Sequence, residues 1–374
     1  LRHLTENHRL KDVLTELNQI AKENGGNRAF GMPGYKASLD FVLERIADRF
    51  AADVDTVVQP FSYSFEHTRK IRVKGPDGEN VHADTILYNP ATPEGGITAP
   101  LVDTPVDDEK GRFPEPRWPK PNEWSSCYVL LTLYPGSGSA CHEEAWEDID
   151  ATGKIALVKR GGCALHDKFM LARAHGAVGA ILYNKDPGTN YTAGSFGAEN
   201  RYKVIPTATI PLEVASEWKK RLAEGKEVPV TLLVDSIFEE RETWNIIVET
   251  KEGDPDNVVF LGAHLDSVQA GPGVNDDGSG TAGLLVILES LIKYTGIKNK
   301  VRFAWWGAEE SGLIGSFFYT MGLSGKEADK IRYYFNYDMI ASPNPAYRVY
   351  EGEEIGTKNL FDYINAAGKP AELG

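Results

Sequence analysis

The spacing of apolar positions changes period several times along the chain, and these changes outline its elements. Leu10, Val13, Leu14, Leu17, Ile20 and Ala21 recur at three- and four-residue steps, which predicts an amphipathic helix over residues 6–23. Asn24-Gly25-Gly26-Asn27 ends it with residues that tolerate positive φ. Pro33-Gly34 opens a second helix, in which Leu39, Val42, Leu43, Ile46 and Phe50 repeat the pattern. Val57, Val58, Phe61, Tyr63 and Phe65 then read as a strand over residues 56–65. Residues 71–73 and 81–88 flank Gly75-Pro76-Asp77-Gly78 as a hairpin.

From Asn89 the character shifts to a proline- and glycine-rich connector, with prolines recurring to Pro121. Residues 98–235 read as a separate inserted module, between a first part (1–97) and a second part (236–374) of one larger domain. Within the insert, residues 154–159 (KIALVK) and 178–183 (VGAILY) are compact apolar strands around a helix at 168–175. Residues 205–210, a helix near 213–223 and residues 228–234 follow. From Trp244 the first pattern resumes, with strands at 245–250, 258–261, 300–306, 333–337 and 347–350, and helices at 281–294 and 316–321. Strands alternating with helices predict an α/β fold: a mixed, mostly parallel central sheet with helices on both faces.

Composition narrows the partners. At 374 residues the chain can bury two cores, and 41% hydrophobic with 25% charged residues is ordinary for a globular protein. A formal net charge of −14 argues against nucleic acid or an anionic membrane as partner. No apolar run approaches the ~20 residues of a membrane-spanning helix. The start at Leu1, without a methionine or signal-like apolar core, reads as a processed or trimmed product. Cys127, Cys141 and Cys163 are either buried thiols or one disulfide, Cys141–Cys163, with Cys127 left over. Cys163 and His166 lack the neighbouring ligands or base that a metal site or thiol nucleophile would need. Asn190-Tyr191-Thr192 is a glycosylation sequon, a triplet that also arises by chance.

The chemistry gathers where apolar strands end. Val258–Leu261 is followed by His264 and Asp266, two residues apart and so on one face of a strand. A glycine-rich loop then carries Asn275, Asp276 and Asp277. Glu309-Glu310 follows the strand at 300–306, and Asp338 the strand at 333–337. Any one of these acids alone is best read as a solvated loop charge. Four groups, each beyond a strand end, point instead to a shared site of the kind α/β folds build there. Imidazole with several carboxylates suits zinc. So many acids in one cleft repel each other unless cations lie among them, and two metals sharing a carboxylate would relieve that repulsion.

The segments GAHLDSV, GPGVNDDGSG, FAWWGAEESGLIGS and NYDMIASPNP closely resemble the dizinc aminopeptidases of peptidase family M28. NGGNRAFGMPGYKASLDFV resembles the opening helices of its bacterial secreted members, and GKIALVKRGGCALHDKFMLARAHGAVGAILYN resembles a protease-associated domain. The combination is similar to fungal secreted leucine aminopeptidases and vacuolar aminopeptidases. The resemblance implies a zinc exopeptidase fold with an inserted α+β protease-associated domain, a peptide substrate, and a monomer in the extracellular space or a vacuolar lumen. It also favours the Cys141–Cys163 disulfide.

For the site, the resemblance implies two zinc ions (Zn2+). His264 and Asp338 would hold one and Glu310 the other, with Asp276 bridging. Glu309 would be the general base, and Asp266 would accept the second imidazole N–H of His264. Asp277 would support the turn, and the Asp276–Asp277 peptide is a candidate for a cis bond. The family's second zinc also takes a histidine near the carboxyl end, in a Cys-Tyr-His setting. No histidine here follows His264, so the resemblance implies a chain that stops short of that ligand. A carboxypeptidase of the same fold, which would grip the substrate carboxylate with a basic pocket, and a non-catalytic binding protein are the alternatives.

Overall fold

A computed structural model describes residues 7–104, 140–184, 187, 194–349 and 355–373. Cys127 and the sequon at 190–192 lie outside them. In chain order the first elements are α1 (Asn7–Glu23), α2 (Pro33–Phe50), β1 (Val54–Lys74), β2 (Asn80–Val81) and β3 (Ile97–Asp103). Then come β4 (Ile155–Lys159), α3 (Leu165–Ala174), β5 (Gly179–Tyr183), β6 (Thr207–Ile210), α4 (Leu212–Ala223) and β7 (Pro229–Thr250). The last are β8 (Asp254–His264), α5 (Gly278–Leu291), β9 (Asn299–Trp306), α6 (Ile314–Met321), α7 (Gly325–Ala328), β10 (Ile331–Asn336), β11 (Tyr347–Val349), α8 (Ile355–Ala366) and β12 (Ala371–Leu373). The chain forms two compact units, residues 1–65 with 240–374, and residues 66–239.

In the first unit β10, β8 and β9 pair in parallel, and β9 pairs antiparallel with the 246–249 part of β7. This is the mixed, mostly parallel sheet expected. The two-residue alternation of strand side chains divides its contacts. Leu261, Ala263, Phe303 and Trp305 face one way and form a core with Val13 and Leu17 of α1, Leu39, Val42 and Ile46 of α2, and Leu284, Leu285 and Leu288 of α5. Phe260, Ala304 and Trp306 face the other way and pack with Tyr319 of α6. Helices therefore cover both faces, and loops leaving β8, β9 and β10 emerge together at one end.

The second unit has its own parallel block, β3-β4-β5-β6, with β3 antiparallel to the 229–232 part of β7. Its core joins Leu101, Ile155, Leu157, Ile181 and Ile210 to Ala215 and Trp218 of α4. Val73 belongs to the same core, with Ile71 and Val81 packed against it, so this compact unit takes in residues that precede position 98. Cys141 and Cys163 form a disulfide within it.

Candidate metal centre

His264 is the last residue of β8 and its side chain is 1% exposed. Its backbone N–H donates to Asp277 Oδ2 at 3.1 Å, and its carbonyl accepts from Thr281 Oγ1 at 2.8 Å. The turn into α5 is thereby tied to the strand tip. Asp277 caps α5, its Oδ1 accepting from Gly280 N at 2.8 Å, so it supports the turn as expected from the sequence. The Asp276–Asp277 peptide is cis. Gly280 permits a close approach: a Cβ there would lie 2.0 Å from the Tyr337 carbonyl. Only glycine lets α5 sit against the end of β10, which brings Asp338 to the same place as Asp276.

Ligand atoms of His264, Asp276 and Asp338 all lie within 4.8 Å of one another. His264 Nε2 is 3.0 Å from Asp276 Oδ1, 3.8 Å from Asp338 Oδ2 and 3.7 Å from Glu309 Oε2. The acids following the three parallel strands thus converge on one imidazole. Asn275 fastens two of these loops together, accepting from Ala341 N at 3.1 Å and donating to Ser342 Oγ at 3.0 Å.

Asp266 meets the imidazole through its backbone carbonyl. His264 Nδ1 lies 3.0 Å from the Asp266 backbone carbonyl and 3.6 Å from its carboxylate. The carboxylate turns instead to the next loop, accepting from Glu309 N at 3.0 Å and Glu310 N at 3.2 Å. A carbonyl acceptor fixes the imidazole tautomer as well as a carboxylate would. Asp266 meanwhile aligns the Glu309-Glu310 backbone.

Burial shapes the electrostatics. It opposes a charged His264, yet hydrogen bonds to Asp266 and Asp276 and the charge of Asp277 push the imidazole up to about 12. Desolvation raises Glu309 and Asp338, with His264 pulling each back down. Glu310 is pushed up to about 8, first by burial and then by the charges of Asp276 and Asp266. Its Oε1 is buried without a hydrogen-bond partner. A buried carboxylate oxygen lacking a donor is costly, and a cation would satisfy it. The converging nitrogen and oxygen donors and this orphaned oxygen fit a divalent metal such as zinc.

Two buried residues that bond to these loops carried no sequence signal. Arg28 is fully buried and donates to the Leu265, Pro272 and Gly273 carbonyls. Asn245, also buried, accepts from Gly307 N at 3.0 Å and donates to Gly315 O at 2.8 Å, closing the loop that carries Glu309 and Glu310. Cys163 is disulfide-bonded, and His166 lies 3.3 Å from Asp167.

Residues 245–373 match the profile of peptidase family M28, and residues 128–218 that of the PA domain. A probable leucine aminopeptidase 2 of Arthroderma benhamiae is 36% identical over 349 residues, covering 92% of this chain and 62% of that protein. An aminopeptidase of Pseudomonas aeruginosa is 36% identical over 353 residues, covering 91% of this chain and 59% of that protein. The chain thus spans about three fifths of the length of these relatives. An aminopeptidase from Aneurinibacillus sp. strain AM-1 superposes with a TM-score of 0.73 at 22% identity, over 99% of this chain and 84% of that one. The zinc aminopeptidase BSAP from Bacillus subtilis gives 0.67 at 24% identity, over 97% and 79%. These two show the same fold.

Proposed function

From a chain that carries a peptidase family M28 segment and a PA domain, we propose a zinc aminopeptidase that removes amino-terminal residues from peptides. The observation that carries this reading is the convergence of His264, Asp276 and Asp338 beside Glu309, inside the segment matched to the peptidase family. The relatives named as leucine aminopeptidases support an amino-terminal over a carboxyl-terminal specificity.

His264, Asp276 and Asp338 would hold zinc, and Glu310 would offer a further carboxylate to a second ion. When bound, the ions supply Lewis acidity toward the scissile carbonyl and acidify the attacking water. Glu309 would accept a proton from the attacking water and pass it to the departing amine. Its raised affinity for protons, caused by burial, suits a group that must accept a proton and then release it. Asp266 keeps the Glu309 and Glu310 backbone in register with the imidazole, through bonds to both amides.

The protease-associated module, residues 98–235 by its sequence pattern, falls within the second compact unit, residues 66–239. The disulfide supports an oxidising location, in keeping with the extracellular space or a vacuolar lumen. No helix among the described residues is long and apolar enough to cross a membrane.

Hydrolysis of leucine p-nitroanilide tests the reading. Activity should vanish with a chelator, return with zinc, and fall about 10²–10⁴-fold in Glu309→Ala. Cleavage of carboxyl-terminal glutamate peptides in place of the anilide would establish a carboxypeptidase instead. Zinc-loaded protein that cleaves neither substrate would favour a binding protein.

A further inference from the structure

Arg28 has no solvent exposure, yet among the described residues its side-chain hydrogen bonds run to backbone carbonyls rather than to a carboxylate. A buried charge held only by carbonyls needs a reason, because an arginine is rarely interred unless paired. Its three nitrogens are divided among three carbonyls. Nε donates to Pro272 at 2.9 Å, Nη2 to Gly273 at 2.8 Å, and Nη1 makes a short bond to Leu265. Leu265 directly follows His264, and Gly273 lies three residues before Asp276. The guanidinium therefore spans the base of the loop that presents both ligands.

The backbone of Arg28 is stitched to the same loop. Its N–H donates to Ser267 Oγ at 2.9 Å, and its carbonyl accepts from Ser267 N at 3.3 Å. Gly273 shows how tightly the loop closes on this strut. At φ +58°, a Cβ there would lie 2.4 Å from the Asp276 carbonyl, 2.4 Å from Ser267 Cβ and 3.2 Å from Arg28 Nη2. Asp266, Asp277 and Asp276 are also close enough for the guanidinium charge to act on them. One residue thus braces the loop and places a positive charge behind its acids.

We propose that Arg28 is a positioning residue for the metal centre, fixing the separation of His264 and Asp276 through the three loop carbonyls. The inference rests on the zinc-site reading given above. Lysine cannot replace it, because one ammonium nitrogen cannot reach three acceptors set around a planar fork.

Zinc affinity by chelator competition, and the visible spectrum of the cobalt-loaded protein, test this on the full chain. Arg28→Lys should weaken zinc binding about 10–100-fold, the range for residues that orient metal ligands, and should shift the cobalt bands. Arg45→Gln, which breaks an ion pair to Glu289, should lower thermal stability while leaving affinity and spectrum unchanged. An Arg28→Lys protein that is folded and matches the parent in both readouts overturns the proposal. Should that variant fail to fold, the parent decides. A guanidinium locked on three carbonyls gives resolved, slowly rotating Nη protons by nuclear magnetic resonance with and without zinc, whereas averaged signals overturn the strut. A parent chain that binds no zinc at all overturns the zinc-site reading, and this inference with it.

Discussion

Each compact unit lays parallel strands side by side, and their tips differ in kind. In the first, β8 ends at His264, β9 leads into Glu309-Glu310 and β10 leads into Asp338. In the second, β4 leads into Arg160-Gly161-Gly162, β5 into Asn184 and β6 into Pro211. Among the described residues, the His264–Asp276–Asp338 trio is the one group of three or more side chains able to hold a metal whose atoms converge. The loops are also held differently. Buried polar side chains (Arg28, Asn245, Asp266 and Asp277) brace those of the first unit. A covalent bond joins residue 141 to residue 163 in the second. Parallel topology therefore supplies a place for chemistry, and the site depends on which side chains arrive and on what keeps their loops still.

The strongest way to break this contrast is to remove the central ligand. Zinc at about a thousand times its Kd should stabilise the parent by about 4 kcal/mol, and Asp276→Ala should lose that gain. Amide exchange should slow on zinc addition in residues 258–280 and stay unchanged in residues 155–183. An equal gain in Asp276→Ala, or protection centred on the second unit, would place the metal elsewhere. The reciprocal cut is Cys141→Ser. The cysteines lie 22 residues apart, and closing a loop of that size restricts the unfolded chain by about 3 kcal/mol. The variant should exchange faster around residues 140–183 with its zinc affinity unchanged. A matching loss of zinc affinity would show that the second unit supports the metal loops after all.

The contrast was unevenly legible in the sequence. Apolar periodicity located α1, α2 and α5, and apolar runs located β8 and β9, because each packs a face into a core; β10 was located by its aromatic run, although its residues are only half-buried or exposed. The chemistry followed, since every acid or imidazole stands just beyond such a run. Residues 56–65 and 71–73 read as separate strands but belong to one, β1, which runs through the polar residues between them. The apolar pattern does not mark the helix Ile355–Ala366. Thr357, Leu360, Phe361 and Ile364 do recur at helical steps, yet each is only half-buried and the stripe is weak. Arg28 left no trace because its partners are backbone carbonyls 237, 244 and 245 residues away, and a carbonyl is the same in every residue. Asp266 was found, but its carboxylate serves the backbone of Glu309 and Glu310, a direction that spacing alone does not encode.

A smaller and more diagnostic effect lies in pH. Burial, then the charges of Asp276 and Asp266, raise Glu310 from 4.5 to about 8 in the metal-free protein. Its Oε1 has no donor to offset that cost. Between these two values the folded chain holds more protons than the unfolded one, so stability must fall as pH rises. The contribution is fully present below about 4.5 and lost once pH passes about 8. Glu309, Asp338 and His264 are shifted upward as well and add in the same direction. Denaturant midpoints of the metal-free chain should therefore decline from pH 5 to pH 9, and Glu310→Gln should make the decline shallower. Saturating zinc should reverse the slope, because a bound cation favours ionised carboxylates and deprotonated imidazole. A metal-free midpoint that climbs across this window, or a Gln variant with the parent's slope, would mean that Glu310 is not the buried, cation-seeking acid inferred from its unpartnered oxygen.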